Sequence, residues 1–376
     1  MPIYFDHNAT AVPDPVAARA AADWLLSGGG NPSSVHHAGR RARAVVERAR
    51  AQVAAALGGR PGETIFTSGA TESLHTAVSG LAGPGAHAVV SAVEHPAVFG
   101  ACRAAGIEVS IVPVDDRGRL KPAAFAAALR PTTAFVAVMA AQNELGNLYA
   151  VPEIAAAVGP VPVLCDAVQH FGRLPLDVGT LGAALVAVSG HKIGAPGGVG
   201  ALWVKAGLCL RPLLEGGPQE RGRRAGTENV SGIVGFGVAA SRIDERVAAA
   251  PRVAAVRERL LVGLRALTPQ PLFHGDPESA LPNTLSFRFP DVPGDALLAA
   301  LDLAGFCLSS GAACSAGALT PSPVLRALGL APAEAAGALR LSLGPESTAQ
   351  EADAFLDALP ALLERIRSAQ RRHGRL

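Results

Sequence analysis

Between residues 64 and 204 short apolar runs alternate with helical patterns, and this alternation leaves the chain few folds to choose from. The runs at 64–67, 88–91, 109–113, 134–139, 161–165, 185–188 and 201–204 read as strands, and segments such as 96–105, 122–129 and 152–158 read as helices. Strands covered on both faces by crossover helices show as nearly continuous apolar runs. The pattern therefore predicts an α/β fold, with βαβ units around a mostly parallel, seven-stranded sheet.

The flanks read differently. Asp14-Pro15 is a helix start, an N-cap residue followed by proline at the first helical position, and the helix would end at Gly28-Gly29-Gly30. A second helix over about 38–57 stops at Gly58-Gly59 and is expected to carry its arginines on the exposed face. From about 231 a long helical region runs to about 267. Strands at 284–289, 306–309 and 339–343, a helix at 294–303 and a closing helix from 348 then suggest a smaller α+β unit. A chain of 376 residues exceeds one ordinary core. The expected division is a large domain over 13–255 and a small domain built from 1–12 and 256–376.

The formal charge of +2 and charged fraction of 17% give no reason to expect a nucleic-acid partner. The longest stretch without Asp, Glu, Lys or Arg, 73–93, is broken by Gly80, Gly83, Pro84 and Gly85, so it reads as a helix end plus a strand and no membrane is expected. The first residues have neither a basic nor an apolar leader pattern, and five cysteines without tight spacing suit a reducing compartment. The expected location is cytoplasmic.

Several apolar runs end in polar residues, and open α/β sheets bind ligands beyond the carboxyl ends of their strands. The first run leads into Ser68-Gly69-Ala70-Thr71-Glu72-Ser73 and a helix start, which would aim backbone N–H groups at a phosphate. Others end in Gln142-Asn143-Glu144, in Asp166 with Gln169 and His170, and in Ser189-Gly190-His191-Lys192. Lys192 closes an apolar run and opens onto Ile193-Gly194-Ala195-Pro196-Gly197-Gly198, a poor place for a surface lysine. It suits an amine that bonds to a carbonyl cofactor. Pyridoxal phosphate needs such a lysine and a carboxylate near its ring nitrogen, for which Asp166 is the candidate.

These residues carry a family resemblance over nearly the whole chain. Tyr4-Phe5-Asp6-His7-Asn8-Ala9-Thr10, Phe66-Thr67-Ser68-Gly69-Ala70-Thr71-Glu72-Ser73, Asn143-Glu144-Leu145-Gly146 and Asp166-Ala167-Val168-Gln169 form one part of it. Ser189-Gly190-His191-Lys192, Arg224-Ala225-Gly226-Thr227-Glu228-Asn229 and Ser309-Ser310-Gly311-Ala312-Ala313-Cys314 complete it. The chain resembles the cysteine desulfurases of the class V aminotransferases, pyridoxal-phosphate enzymes of fold type I.

The resemblance implies a full site. Lys192 would hold the cofactor and move protons, Asp166 would pair with the ring nitrogen, and His95 would stack on the ring and share in proton transfer. Gln169 would contact the phenolic oxygen. Ala70, Thr71, Ser189 and His191 would hold the phosphate, with Thr227 arriving from a second subunit of a homodimer. Asn143 and Arg340 would hold the carboxylate of L-cysteine, Asn143 also bordering the cofactor. The planar fork of an arginine suits that task. No metal is called for.

Cys314 would be the nucleophile, taking sulfur as a persulfide, releasing alanine and passing the sulfur to an acceptor protein such as an iron–sulfur scaffold. The small residues around it suit a mobile catalytic loop, and the stretch from Cys314 to Gly329 resembles the longer-loop branch of the family. The other cysteines, Cys102, Cys165, Cys209 and Cys307, lie in apolar patterns and read as buried. The rival readings are a selenocysteine lyase or another class V lyase or aminotransferase, and a non-catalytic scaffold. The chain departs from the family where Gly197 replaces a lysine, Leu74 and His75 replace asparagines, and His7 stands where asparagine is common.

Overall fold

The computed structural model describes residues 2–310 and 321–373. Seven strands form one sheet, ordered from edge to edge Thr64–Thr67, Gly200–Val204, Leu185–Ser189, Val163–Asp166, Thr133–Met139, His87–Ser91 and Glu108–Val112. Neighbours run parallel except that Gly200–Val204 is antiparallel to both of its partners. Alternate side chains of a strand serve opposite faces. Val136 and Val138 accordingly pack with Val46, Val53 and Phe236 on one face. Phe135 and Ala137 pack with Leu74, Val78 and Val98 on the other. Helices on both faces leave the ends of the strands as the place where polar groups can gather.

A second apolar core lies around an antiparallel sheet of four strands, in the order Ser309–Ser310, Leu339–Ser342, Thr284–Arg288, Leu272–His274. The helices Ala250–Arg265, Gly294–Leu303 and Ala349–His373 cover it, and Phe5 from the amino-terminal segment is buried within it. Ile3–Tyr4 pairs in parallel with Phe306–Cys307, so the start of the chain is stitched to this lobe.

Asp14 caps the helix Pro15–Leu26 as expected, its Oδ1 accepting from the N–H groups of Val16 at 2.8 Å and Ala17 at 3.0 Å. Four expectations need correction. The region 231–267 is three helices, Val230–Ser241, Ile243–Ala248 and Ala250–Arg265, the last opening with a proline in its first turn. The run at 306–309 splits between two sheets. Arg50, on the helix His37–Ala56, is buried rather than exposed, because the carboxylate of Glu220 meets its guanidinium at 2.6 and 2.8 Å. Cys102 and Cys165 are buried, but Cys209, in a stretch without helix or strand, is exposed, and Cys307, at the end of the strand Phe306–Cys307, is half-buried. Among the described residues no helix is long and apolar enough to cross a membrane.

Candidate active site

The parallel strands end on one side of the large sheet, and a cleft of ≈ 430 Å³ opens there. Ala70, Thr71, His95, Asn143, Asp166, Gln169, Ser189, His191, Lys192 and Arg340 all line it. They come from five strand ends and from the antiparallel strand Leu339–Ser342 of the second lobe. His170 and Gln142 do not line it. Gln142 instead holds its own turn, its Oε1 accepting from the N–H groups of Glu144 and Leu145. Thr227 lies in a neighbouring cavity of ≈ 70 Å³ that shares Ser68 and Gly198 with the cleft. Cys314 lies outside the described residues.

At one end of the cleft the helix Ala70–Leu81 begins behind Gly69, with no side-chain cap on its first N–H groups. Such an end attracts an anion through its unpaired donors and the helix dipole. Gly69 has φ +156° and Gly200 passes so close that a Cβ on Gly200 would stand 2.7 Å from the Gly69 Cα. A side chain at Gly200 would therefore push the phosphate-binding type of turn out of place. Glu72, in the helix's first turn, accepts from Ser68 N–H at 2.8 Å and is paired with Arg224 at 2.8 Å. That pairing offsets a negative charge that would repel an anion.

Lys192 follows the strand Leu185–Ser189 on the short turn Gly190–Lys192. Its ammonium donates to the carbonyls of Asn8 at 2.5 Å and Ala9 at 2.7 Å. Gln169 Nε2 also donates to Asn8 O, at 3.0 Å, while the buried Gln169 Oε1 has no partner among the described residues. Asp166 ends its strand with a buried side chain whose Oδ1 accepts from Val168 N–H at 2.9 Å. Burial raises its carboxyl above the ordinary range, and the nearby His95 and Lys192 oppose that rise.

Burial lowers the His95 imidazole. Its Nδ1 accepts from Ala97 N–H at 3.1 Å as the N-cap of the helix Pro96–Ala104, which leaves the ring proton to Nε2 in the neutral form. His191 is pushed down to about 4 by burial and then by Lys192, so it is neutral at physiological pH. Arg340 is fully buried, donating to Asp6 at 2.7 Å and to Asn143 O at 3.2 Å.

Three residues outside the sequence-based site hold it together. Asn8 is the hub: its carbonyl takes Lys192 and Gln169, its amide donates to Asn143 O at 3.0 Å and Thr284 Oγ1 at 2.9 Å, and its Oδ1 accepts from Arg173 at 3.1 Å. Asp6 pairs with Arg340. Glu94, beside His95, accepts from Ser91 Oγ at 2.5 Å and Met139 N–H at 2.8 Å on the same oxygen, Oε1. The sequence marked the first two only through the motif Tyr4-Phe5-Asp6-His7-Asn8-Ala9-Thr10, without a role for either.

Glu94 gives a prediction on stability. Burial, followed by the charge of Asp166, pushes its carboxyl up to about 8, so the folded protein keeps it protonated at pH 7. The raised folded pKa means that its contribution is complete below the unfolded value near 4.5 and is lost as pH rises through 8. Glu94→Gln keeps the Oε1 acceptor and a neutral donor. It is expected to melt higher than the parent at pH 8, by on the order of a few kcal/mol in unfolding free energy, with the gap closing toward pH 5. Equal pH slopes for the two proteins in thermal melts would refute a neutral Glu94.

Comparison with known proteins places this geometry among relatives. The family described as Aminotransferase class-V matches residues 3–355. The "Cysteine desulfurase" of Gluconacetobacter diazotrophicus is 41% identical, covering 97% of this chain and 94% of its own length. "Cysteine desulfurase IscS 1" of Archaeoglobus fulgidus is 38% identical over 97% of this chain and 98% of its own. A solved "NIFS-LIKE PROTEIN" superposes with a TM-score of 0.89 at 34% identity, over 97% of this chain and all of that one.

Proposed function

The chain belongs to the aminotransferase class-V family, and from that membership we propose that its cleft holds pyridoxal phosphate and that Cys314 receives the sulfur of L-cysteine. The enzyme is a cysteine desulfurase. The observation that carries the cofactor assignment is the placement of Lys192, Asp166 and the uncapped helix start around one cleft.

The residues present fit the group. The unpartnered, buried Gln169 Oε1, the buried Asp166 carboxylate and the close-packed Gly69–Gly200 turn supply, respectively, a polar contact, a charge partner and a phosphate cradle. Ala70, Thr71, Ser189 and His191 would take the phosphate, and Lys192 would anchor the carbonyl carbon. When bound, the cofactor serves as an electron sink for bonds at the substrate's α-carbon.

The chain's own groups do the rest. Arg340 and Asn143 hold the substrate carboxylate. Lys192 and His95 stand where a proton can be taken up or delivered. Asp166, whose ionised form His95 and Lys192 favour against the cost of burial, would pair with the ring nitrogen. The Cys314 thiolate takes the substrate's sulfur atom, so that a thiol and L-cysteine become a persulfide and L-alanine. The persulfide then passes to an acceptor protein. We place the reaction in the cytoplasm and in a homodimer, with Thr227 serving the phosphate of a second copy. The exposed apolar side chains Leu25, Leu26 and Val35, 67 to 84% accessible, support a covered face.

Mass spectrometry of the holoenzyme after brief exposure to L-cysteine tests the reading. One added sulfur atom on Cys314 is expected, and Cys314→Ala is expected to lose the adduct and turnover by on the order of 10³-fold. Undiminished sulfur transfer by that variant would remove Cys314 from the reaction. Selenide release persisting in Cys314→Ala, with cysteine turnover lost, would favour a selenocysteine lyase.

A further inference from the structure

A further, smaller cavity adjoins the active site at the seam between the two lobes. It measures ≈ 20 Å³ and is walled by His7, Arg173, Lys192 and Arg246 together with apolar side chains such as Val253 and Leu343. Every titratable group on its wall is basic. Lys192 lines both this cavity and the cofactor cleft.

Among the described residues neither of its guanidinium groups forms an ion pair, although the charges of Asp14 and Glu346 act on Arg246. Arg173 is buried and, among the described residues, donates only to neutral oxygens, Gln169 O, His7 O and Asn8 Oδ1. Arg246, on the helix Ile243–Ala248, makes no hydrogen bond or ion pair among the described residues, and its Nε is buried without a partner. Of the two acids whose charge reaches Arg246, Asp14 is committed to Arg242 at 3.1 Å and Glu346 forms no ion pair with it. His7 Nδ1 is likewise buried without a partner, and its ring is locked against Gly344, where any Cβ would collide with it. Two cations, the buried Arg173 and the half-buried Arg246, and an imidazole nitrogen thus face one partly open pocket.

We propose that this cavity binds a single halide-sized inorganic anion, held between the guanidinium groups of Arg173 and Arg246 beside the His7 ring. For the buried Arg173 a charge left unpaired is costly, and a neutral water satisfies hydrogen bonds without answering the charge. Burial and mutual repulsion already weaken these cations, Arg173 being pushed down to about 9. The space exceeds the roughly 10–15 Å³ that one water needs, so a monatomic ion fits between the two guanidinium groups. Apolar walls beside the cations suit a large, weakly hydrated monatomic ion. Because its walls come from both lobes, the ion fastens them together beside Lys192.

Bromide and chloride are the probes. Crystals of the holoenzyme grown with bromide in place of chloride are expected to show an anomalous peak in contact with both guanidinium groups. In thermal unfolding at constant ionic strength, halide replacing methanesulfonate is expected to stabilise the parent saturably. At a hundred-fold excess over Kd the unfolding equilibrium shifts about a hundred-fold. Arg246→Met is expected to lose this halide dependence. An ordered water with no anomalous signal, or halide stabilisation that is unchanged in Arg246→Met, overturns the proposal. Should Arg246→Met fail to fold, the bromide peak in the parent decides alone.

Discussion

Lys192→Ala is expected to bring desulfurase turnover to the limit of detection and to abolish the visible absorbance of lysine-linked cofactor. Two losses combine in this variant. The chain loses the amine that anchors the cofactor, and it loses a positioned proton carrier, which by itself contributes roughly 10²–10⁴-fold. Nothing nearby can substitute. His95 has its Nδ1 engaged with Ala97 N–H and is lowered by burial, and His191 is neutral and turned toward Thr10, its Nδ1 3.2 Å from the threonine hydroxyl.

Lys192→Arg separates charge from chemistry. It keeps a cation near the carbonyls of Asn8 and Ala9, yet a guanidinium does not deprotonate and cannot bond to the cofactor. It is expected to be as inactive as the alanine variant. A small primary amine added to Lys192→Ala should restore part of the rate, while adding it to Lys192→Arg should not, because the side chain fills the space. Turnover of Lys192→Ala within ten-fold of the parent would dismiss Lys192 from the chemistry.

The large sheet was legible because parallel strands covered on both faces have nowhere polar to put a side chain until they end. Seven apolar runs therefore mark seven strands, and their polar terminations mark the side on which a ligand can lie. The same logic leads to Asp166 and Lys192 from sequence, since each is the first charged residue after such a run. What stayed hidden depends on partners far along the chain. Arginine on a helix reads as solvated, and only Glu220, some 170 residues away, makes Arg50 an interior residue. The break between Ile243–Ala248 and Ala250–Arg265 falls at Pro251, which suits a first helical turn but not a helix interior, and the two helices pack onto different lobes.

Asn8 illustrates the limit most sharply. Its backbone carbonyl, which carries no sequence signal, is the group that Lys192 and Gln169 share. Its side chain ties Asn143, Thr284 and Arg173 into the same network. A motif could draw attention to the position, but the reason for it is a convergence of segments separated by well over a hundred residues. Glu94 was hidden for a related cause. A carboxylate next to a histidine suggests a charged pair, whereas burial keeps this one protonated and makes it a strut between Ser91 and Met139.

Arg340→Ala is expected to lower kcat/KM for L-cysteine by about 10²–10³-fold, as truncation of one partner in a buried charge pair costs roughly 2–5 kcal/mol. The guanidinium is anchored from within the protein by Asp6 at 2.7 Å and by Asn143 O at 3.2 Å, while its Nε has no partner among the described residues. A substrate carboxylate therefore meets donors whose direction is already set, and the entropy of fixing a long side chain is not charged to binding. Because that contact exists before and during the reaction, its loss should appear mainly in KM. A structural role alone would lower stability through the abandoned Asp6 and leave KM near the parent value. Arg340→Lys preserves the charge toward Asp6 but not the parallel pair of donors. It should recover stability more fully than substrate affinity, and an unchanged KM in both variants would place the substrate carboxylate elsewhere in the cleft.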